Sequence, residues 1–194
     1  MKHLLITVAL LLAPVFSLDN NPPKDVMEYL EETSGHLEET VEGLSQAQFQ
    51  FKPDANTWSI AECMEHINKT EAELFQLLQQ TLDSESDEEA EVSMDDEALI
   101  GMITNREQKA KAAANLEPSN AYASLEEAIE AFEMQREEIT AYLENTEADM
   151  YAHTFEFPFA VVDAHQLVLF LAGHTARHTM QIEEVMANPD FPQE

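Results

Sequence analysis

Apolar residues recur every three to four positions over four long stretches of this chain, and no convincing alternation with period two accompanies them. Each stretch is about twenty residues long, which suits an amphipathic helix that buries one face. Four such helices without strands predict an all-α four-helix bundle. The predicted helices are residues 22–45, the segment from Ser59 through Leu78, the segment from Ser124 to about Asn145, and the segment from near Asp163 to just before Pro189.

Capping signals mark where two of these helices begin. Ser59 and Glu62 form an S-x-x-E capping box, and Ser124 and Glu127 repeat the same spacing. Trp58 precedes the first of these caps and can pack on the first turn of its helix. Glu62 also lies one turn before a histidine and could orient its ring, although the capping role already accounts for this glutamate.

The connection between the second and third helices is long and acidic. Residues 83–97 carry nine acidic side chains in fifteen positions, which is typical of a solvated, mobile segment. A calcium-binding loop is disfavoured because the required turn glycine is missing. Residues 98–113 could add a short helix. A connection of about forty residues can cross the bundle, so the second and third helices could run parallel.

The N-terminus has the features of a secretory signal. Lys2 provides a positive charge, and residues 4–15 form an apolar run that is too short for a comfortable membrane span. Small residues precede a cleavage point before Leu18. We therefore expect a signal peptide over residues 1–17, a single domain over residues 18–194, and a periplasmic or extracellular location. An uncleaved membrane anchor is the alternative.

Charge and cysteine content exclude several classes of function. Nine Lys and Arg residues stand against 39 Asp and Glu residues, and the formal net charge is -30. A phosphate backbone would be repelled, so we expect no nucleic-acid partner and, after signal removal, no membrane partner. Cys63 is the only cysteine, which rules out an intramolecular disulfide and is best interpreted as a buried thiol.

The histidines of the fourth helix indicate a metal site. His174 and His178 are four residues apart, so both project from one face, and that face is apolar. Burying two imidazoles is costly unless hydrogen bonds or a metal ion satisfy them. His66 on the second helix is the best third ligand, although ordinary core histidines would show the same pattern. Thr175 follows His174, so the general base of the H-E-x-x-H protease motif is missing.

Other candidate site residues are weaker. Gln181 shares the face of His174 and His178 and could contact a ligand or substrate, although an ordinary polar helix residue is the favoured interpretation. His153 lies in a predicted loop and could reach the mouth of the bundle as an acid or base, although an ordinary surface histidine is favoured there too. Arg177 is expected to pair with an acid on a neighbouring helix, and His36 and His165 show no constellation.

Three segments resemble the DinB-like superfamily of four-helix-bundle metalloproteins. They are TWSIAECMEHI at residues 57–67, TNREQKAKA at residues 104–112 and QLVLFLAGHTARHTMQIEEVMANPDFP at residues 166–192. The resemblance covers almost the whole chain after the signal segment. It implies an up-down-down-up bundle, which agrees with the long crossover between the second and third helices.

The same resemblance implies a divalent metal held by one histidine of the second helix and two of the fourth. The corresponding residues are His66, His174 and His178. Zinc and nickel are the expected ions, because three imidazoles do not discriminate sharply between them. Catalytic zinc sites commonly use three protein ligands and keep one position open.

The resemblance also implies two kinds of enzyme acting on a small molecule. One is a thiol S-transferase or isomerase, like the bacillithiol S-transferases and mycothiol-dependent maleylpyruvate isomerase; the other is a metal-dependent hydrolase. Export counts against a low-molecular-weight thiol as co-substrate. A non-catalytic metal-binding or structural module is the alternative, and a homodimer is left open.

Overall fold

The computed structural model describes residues 26–86, 89 and 91–193 of the chain. The predicted signal peptide, residues 1–17, lies outside this part. Six helices and one two-stranded hairpin make up the described chain. They are α1 (Val26–Val41), α2 (Gln46–Phe49), α3 (Ile60–Leu82), α4 (Asp96–Thr104), α5 (Leu125–Asn145), β1 (Thr154–Phe157), β2 (Ala160–Asp163) and α6 (Ala164–Met186).

The four long helices, α1, α3, α5 and α6, form the predicted bundle around two buried apolar clusters. One cluster joins the first turns of α1 and α6 to the last turns of α3 and α5. The other joins the last turns of α1 and α6 to the first turns of α3 and α5. The helices α1 and α6 therefore run parallel, and α3 and α5 run opposite to both. This is the expected up-down-down-up order.

Side-chain contacts between α3 and α5 show the same parallel direction. Near the start of both helices, Asn68 Nδ2 donates to the Ala128 carbonyl at 3.2 Å. Further along both helices, the Phe75 ring meets the Tyr142 ring edge-on, with centroids 5.4 Å apart. A parallel pair requires a long connection between the end of one helix and the start of the next, and residues 83–124 provide it.

The predicted caps are largely confirmed. Ser59 accepts from the Glu62 amide at 3.2 Å, and Glu62 accepts from the Ser59 amide at 2.8 Å, which completes the capping box. Ser124 accepts from the Glu127 amide, but the Glu127 carboxylate accepts from Ala123 instead, so only half of that box forms. After α1, Gly43 has φ 73°, a conformation that favours glycine at a helix end.

The hairpin of β1 and β2 corrects the expectation of a strand-free chain. The strands pair antiparallel, with Phe155 opposite Val162 and Phe157 opposite Ala160. Each strand has four residues, which is too short for alternation to be recognised in the sequence. The segment was expected to be a loop, and the hairpin instead leads directly into α6.

The acidic connection is only partly the solvated segment that its composition predicted. The amide of Ser93 donates to the Val161 carbonyl at 2.9 Å, and its hydroxyl accepts from the Val161 amide at 2.8 Å. Asp95 caps α4, and Asp96 accepts from the Gln166 side chain at 3.0 Å. The predicted short helix exists, but it begins and ends earlier than residues 98–113.

No helix in the described ranges is both long and apolar enough to cross a membrane. The apolar faces of the long helices turn toward the two core clusters instead. The thiol of Cys63 lies in the second cluster, fully buried and unpaired, as its sequence context predicted.

A buried ion pair joins the long helices at mid-height. Arg136 of α5 donates to Glu71 of α3 through Nη2 at 2.6 Å, and both side chains are almost completely buried. The same guanidinium donates to the Leu30 carbonyl of α1 at 3.1 Å and to the Thr175 hydroxyl of α6 at 3.0 Å. The Thr175 hydroxyl also donates to Glu71. One network therefore contacts all four long helices.

We expect Arg136→Met to lower the free energy of unfolding by about 3 kcal/mol or more, because it leaves Glu71 buried without its partner. The paired variant Glu71→Leu/Arg136→Met should recover much of that loss, since it removes both charges. Urea denaturation followed by circular dichroism measures both values. A paired variant no more stable than Arg136→Met would contradict this account.

Candidate metal centre

Three histidines from two helices meet at one point inside the bundle. One ring nitrogen from each of His66, His174 and His178 lies within 4.8 Å of the others. The ring centroid of His66 is 4.9 Å from that of His174 and 4.6 Å from that of His178. The centroids of His174 and His178 are 4.5 Å apart. The convergence that the sequence predicted is therefore present.

Helix geometry explains this convergence. His174 and His178 are one turn apart on α6, so their rings lie side by side on one face, with their planes inclined by 55°. The helix α3 runs antiparallel to α6, and its first half lies beside the second half of α6. His66 therefore faces the gap between the two rings of α6. His66 and His178 are buried, while His174 keeps partial contact with solvent.

Burial holds all three imidazoles in the neutral form. It lowers the pKa of His174 to about 3, helped by the charges of His66 and Arg177. Burial is also the main cause that holds the pKa of His178 well below its ordinary value, followed by the charges of His174 and His66. The pKa of His66 is lowered mainly by burial as well. Neutral imidazole is the form that binds metal ions, so no proton has to leave at neutral pH.

Hydrogen bonds fix which nitrogen of His66 is available. His66 Nδ1 lies 2.9 Å from the Leu116 carbonyl oxygen. A carbonyl can only accept, so Nδ1 carries the proton and Nε2 keeps its lone pair. Histidine ligands of metals are commonly oriented in this way through their other nitrogen. Leu116 belongs to the irregular segment between α4 and α5.

Gln181 does the same for His178. His178 Nδ1 lies 2.9 Å from Gln181 Oε1, and Arg106 Nη1 donates to the same oxygen at 3.3 Å. Arginine only donates, so the atom between the two is an acceptor, and His178 Nδ1 must donate to it. The lone pair of His178 Nε2 therefore stays free.

His174 shows a different kind of evidence. Its Nδ1 is buried and has no hydrogen-bond partner among the described residues. A buried polar atom without a partner costs free energy, and a metal ion ligated through this nitrogen would remove that cost. The donor set thus fits a divalent ion that prefers imidazole, such as zinc or nickel.

Trp58 covers the centre from one side. Its ring centroid lies 4.8 Å from that of His66 and 6.1 Å from that of His178. The sequence placed this residue only against the first turn of α3. The position of Trp58 just before the Ser59 cap predicts packing against the start of the helix. It does not predict contact with histidines further along the chain.

The centre opens into a pocket of about 1520 Å³ between α3, α6, the hairpin and the segment after α4. Its surface has two different ends. Most of the charged side chains lie toward the start of α3, while apolar and aromatic side chains predominate toward the start of α6, together with Glu73, Gln76 and Gln80. The apolar side chains at that second end are Leu74, Leu77, Met102, Ile103, Phe157, Phe159 and Phe170.

The expected acid partner of Arg177 is wrong, Glu62 has the capping role that the sequence favoured, and His153 lies away from the centre. Glu62 does not contact His66; it caps α3 and pairs with Lys52 at 2.7 Å. Arg177 donates to the carbonyls of residues 103, 105 and 108 instead of pairing with an acid. His153 lies next to β1 and does not line the pocket, so the structure places it away from the candidate centre.

The remaining histidines lie apart from the centre. His36 Nε2 is 3.0 Å from Glu183, which joins α1 to α6. His165 lies between Asp96 and Tyr151, with its Nε2 3.2 Å from the carboxylate. Both histidines contact side chains of other helices or loops, and the spacing of residues in the sequence did not predict these contacts.

An up-down-down-up bundle with three converging histidines defines a helical protein with a candidate metal centre. The chain belongs to the DinB superfamily, whose sequence profile matches residues 29–182. The uncharacterized protein YuaE of Bacillus subtilis (strain 168) is 25% identical over 146 residues, which cover 75% of this chain and 87% of YuaE.

A solved structure has the same fold. YfiT from Bacillus subtilis matches with a TM-score of 0.58 and 15% identity over 83% of each chain. That protein is described as a probable metal-dependent hydrolase with an unusual four-helix bundle topology. At this identity the likeness supports the fold alone.

We expect Gln181→Leu to weaken metal binding by about tenfold or more, because His178 loses the acceptor that fixes its ring. Gln79→Leu, the same change on α3 outside the pocket, is the matched control. Competition with a chromogenic chelator measures both affinities. Equal affinities in the two variants would show that Gln181 does not orient the ligand.

Proposed function

We propose that this protein is a metal-dependent hydrolase of a small molecule, with one divalent ion bound by His66, His174 and His178. The observation that carries the proposal is that three neutral imidazoles from two helices converge within 4.8 Å at the wall of an open pocket. The description of YfiT as a probable metal-dependent hydrolase with a related fold supports the reaction class.

A catalytic site is favoured over a purely structural one by its ligand count. Within the described ranges, the cluster contains three candidate ligands and no fourth histidine, cysteine or carboxylate. Structural zinc sites are commonly closed by four protein ligands, whereas catalytic sites have three and an open position. The pocket beside the histidines leaves room for a substrate in that position.

A divalent ion in this site would supply Lewis acidity for activating water and polarising the bond to be cleaved. The protein contributes the orientation of its ligands. Leu116 holds the ring of His66 and Gln181 holds that of His178, while Trp58 shields one side from solvent. Thiol transfer is the competing reaction class. Cys63 cannot supply the thiol, because burial raises its pKa far above the ordinary value and removes it from the pocket.

The remaining parts of the proposal rest on the sequence. Export with cleavage before Leu18 is proposed from the signal segment, and the absence of a nucleic-acid partner from the charge. A small-molecule partner is proposed from the family resemblance and the open pocket. We propose zinc or nickel as the ion, and the only ground for this choice is that all three donors are imidazoles.

Protein purified without an affinity tag should contain about one zinc or nickel ion per chain, and His66→Ala should lose it, because two ligands bind too weakly. His165→Ala, a histidine outside the centre, is the matched control and should keep the ion. Mass spectrometry of the metal content measures all three proteins. Equal metal content in wild type and His66→Ala would overturn the proposed centre.

One measurement distinguishes a catalytic metal site, which has an open coordination position, from a purely structural one. In the cobalt-substituted protein, azide should change the visible spectrum if a coordination position is open. A spectrum that azide leaves unchanged would favour the non-catalytic metal-binding module.

Chelation should lower the melting temperature of the wild type by roughly 5 °C, because a tightly bound ion that bridges α3 and α6 stabilises only the folded chain. His66→Ala should show no such change. Differential scanning calorimetry before and after verified metal removal provides the comparison. An unchanged melting curve in the wild type would argue against an ion that bridges the two helices.

A further inference from the structure

We propose that the pocket accepts an amphipathic anion. Its apolar body would lie on the aromatic wall formed by Phe157, Phe159 and Phe170, and its anionic group would lie beside the histidines, near Arg106 and Lys109. This inference rests on the proposed function, because it names the substrate class of the same site.

The three phenylalanine rings of the aromatic wall are packed against one another. The rings of Phe157 and Phe159 stack with centroids 5.0 Å apart and planes inclined by 9°, and Phe170 stacks on Phe157 at 5.4 Å. Phe159 remains 51% exposed although it is one of the largest apolar side chains of the fold. An exposed group of stacked rings at the edge of a pocket is typical of a surface that binds an apolar ligand.

The wall and the metal centre lie in one groove at a short distance. Phe170 precedes His174 by one turn of α6, which corresponds to about 6 Å along the helix axis. On α3, Thr70 follows His66 by one turn, and its hydroxyl is buried without a hydrogen-bond partner among the described residues. Thr70 also lines the pocket, between the apolar wall and the histidines.

The charge of the pocket differs from that of the rest of the chain. Five of the nine Lys and Arg residues line it, beside only five of the 39 acids. Basic and acidic side chains are therefore equal in number in the pocket, whereas acidic side chains greatly outnumber basic ones in the rest of the chain. Neutral imidazoles leave the charge of a bound divalent ion unbalanced, which further favours an anion in this pocket.

Two basic residues are placed to meet that anion. Arg106 contacts Gln181, the residue that orients His178, and its guanidinium also pairs with Glu184 at 2.7 Å. Lys109 also lines the pocket. The pKa of Glu184 is lowered chiefly by its hydrogen bond from Arg106 and also by the charge of Lys109, but Lys109 forms no ion pair within 4.0 Å of a described carboxylate. Its ammonium group is therefore available to a ligand without breaking an existing pair.

Calorimetric titration of the metal-loaded protein with 4-phenylbutyrate tests the proposal. Butyrate lacks the ring and 4-phenylbutan-1-ol lacks the charge, so each removes one half of the recognition. We expect 4-phenylbutyrate to bind at least about tenfold more tightly than either. Weaker or equal binding of 4-phenylbutyrate in loaded protein would overturn the proposal.

Variants assign each half of the ligand to its residues. Phe159→Ala should weaken binding of 4-phenylbutyrate by about fivefold and leave butyrate unchanged. Lys109→Gln should weaken 4-phenylbutyrate but not the alcohol, and Lys109→Arg should restore the affinity. Met134→Ala, which removes a side chain that is 65% exposed outside the pocket, is the control for Phe159→Ala and should have no effect.

Metal analysis of the same samples separates the two proposals. If the protein is loaded but shows no preference for the amphipathic anion, the substrate class is wrong and the metal centre stands. If no ion is retained, the proposed function fails and this inference falls with it. If Phe159→Ala turns a dimer into a monomer without changing affinity, the aromatic wall is an interface between copies and the inference is overturned.

Discussion

The buried network around Arg136 and Glu71 is the constraint on which the rest of the structure depends. It contacts all four long helices, and a buried charge tolerates little displacement from its partner. Glu71 lies five residues after His66 on α3, and Thr175 lies directly after His174 on α6. The hydrogen bond from Thr175 to Glu71 therefore sets the register in which the histidines of the two helices meet. The candidate metal centre therefore lies about one turn from the network that aligns the two helices carrying its histidines.

The surface of this protein is strongly acidic, whereas the histidine centre in its interior is uncharged. A formal net charge of -30 keeps most of the surface acidic, while the centre consists of imidazoles held neutral by burial. The pocket between them has a balanced set of charged side chains and an aromatic wall. With the proposed divalent ion bound, a substrate that is both apolar and anionic would be attracted to this pocket and repelled from the remainder of the surface.

The long connection from α3 to α5 is more than a link required by parallel helices. Its α4 helix packs against α6, and the irregular segment that follows supplies Leu116 to His66 and Arg106 to Gln181. Neither contact could be predicted, because Leu116 and Arg106 are separated from their partners by 50 and 75 residues and belong to a segment without periodicity. The hairpin was missed for a related reason, since its four-residue strands show no recognisable alternation.

The four long helices, most of their starts and the face shared by His174 and His178 were determined by the sequence itself, because periodicity, capping and i,i+4 spacing are local properties. The short helix α2 was not predicted, since its four residues are too few to show periodicity. Helical position already made His66 the best third imidazole, but only the resemblance to a family favoured a ligand over a core histidine, since both have the same local pattern. Only the tertiary structure decided the tautomers, the Trp58 cover, the orienting role of Gln181 and the two-ended pocket. Each of these depends on atoms distant in sequence, whose separation is set by packing and not by spacing along the chain.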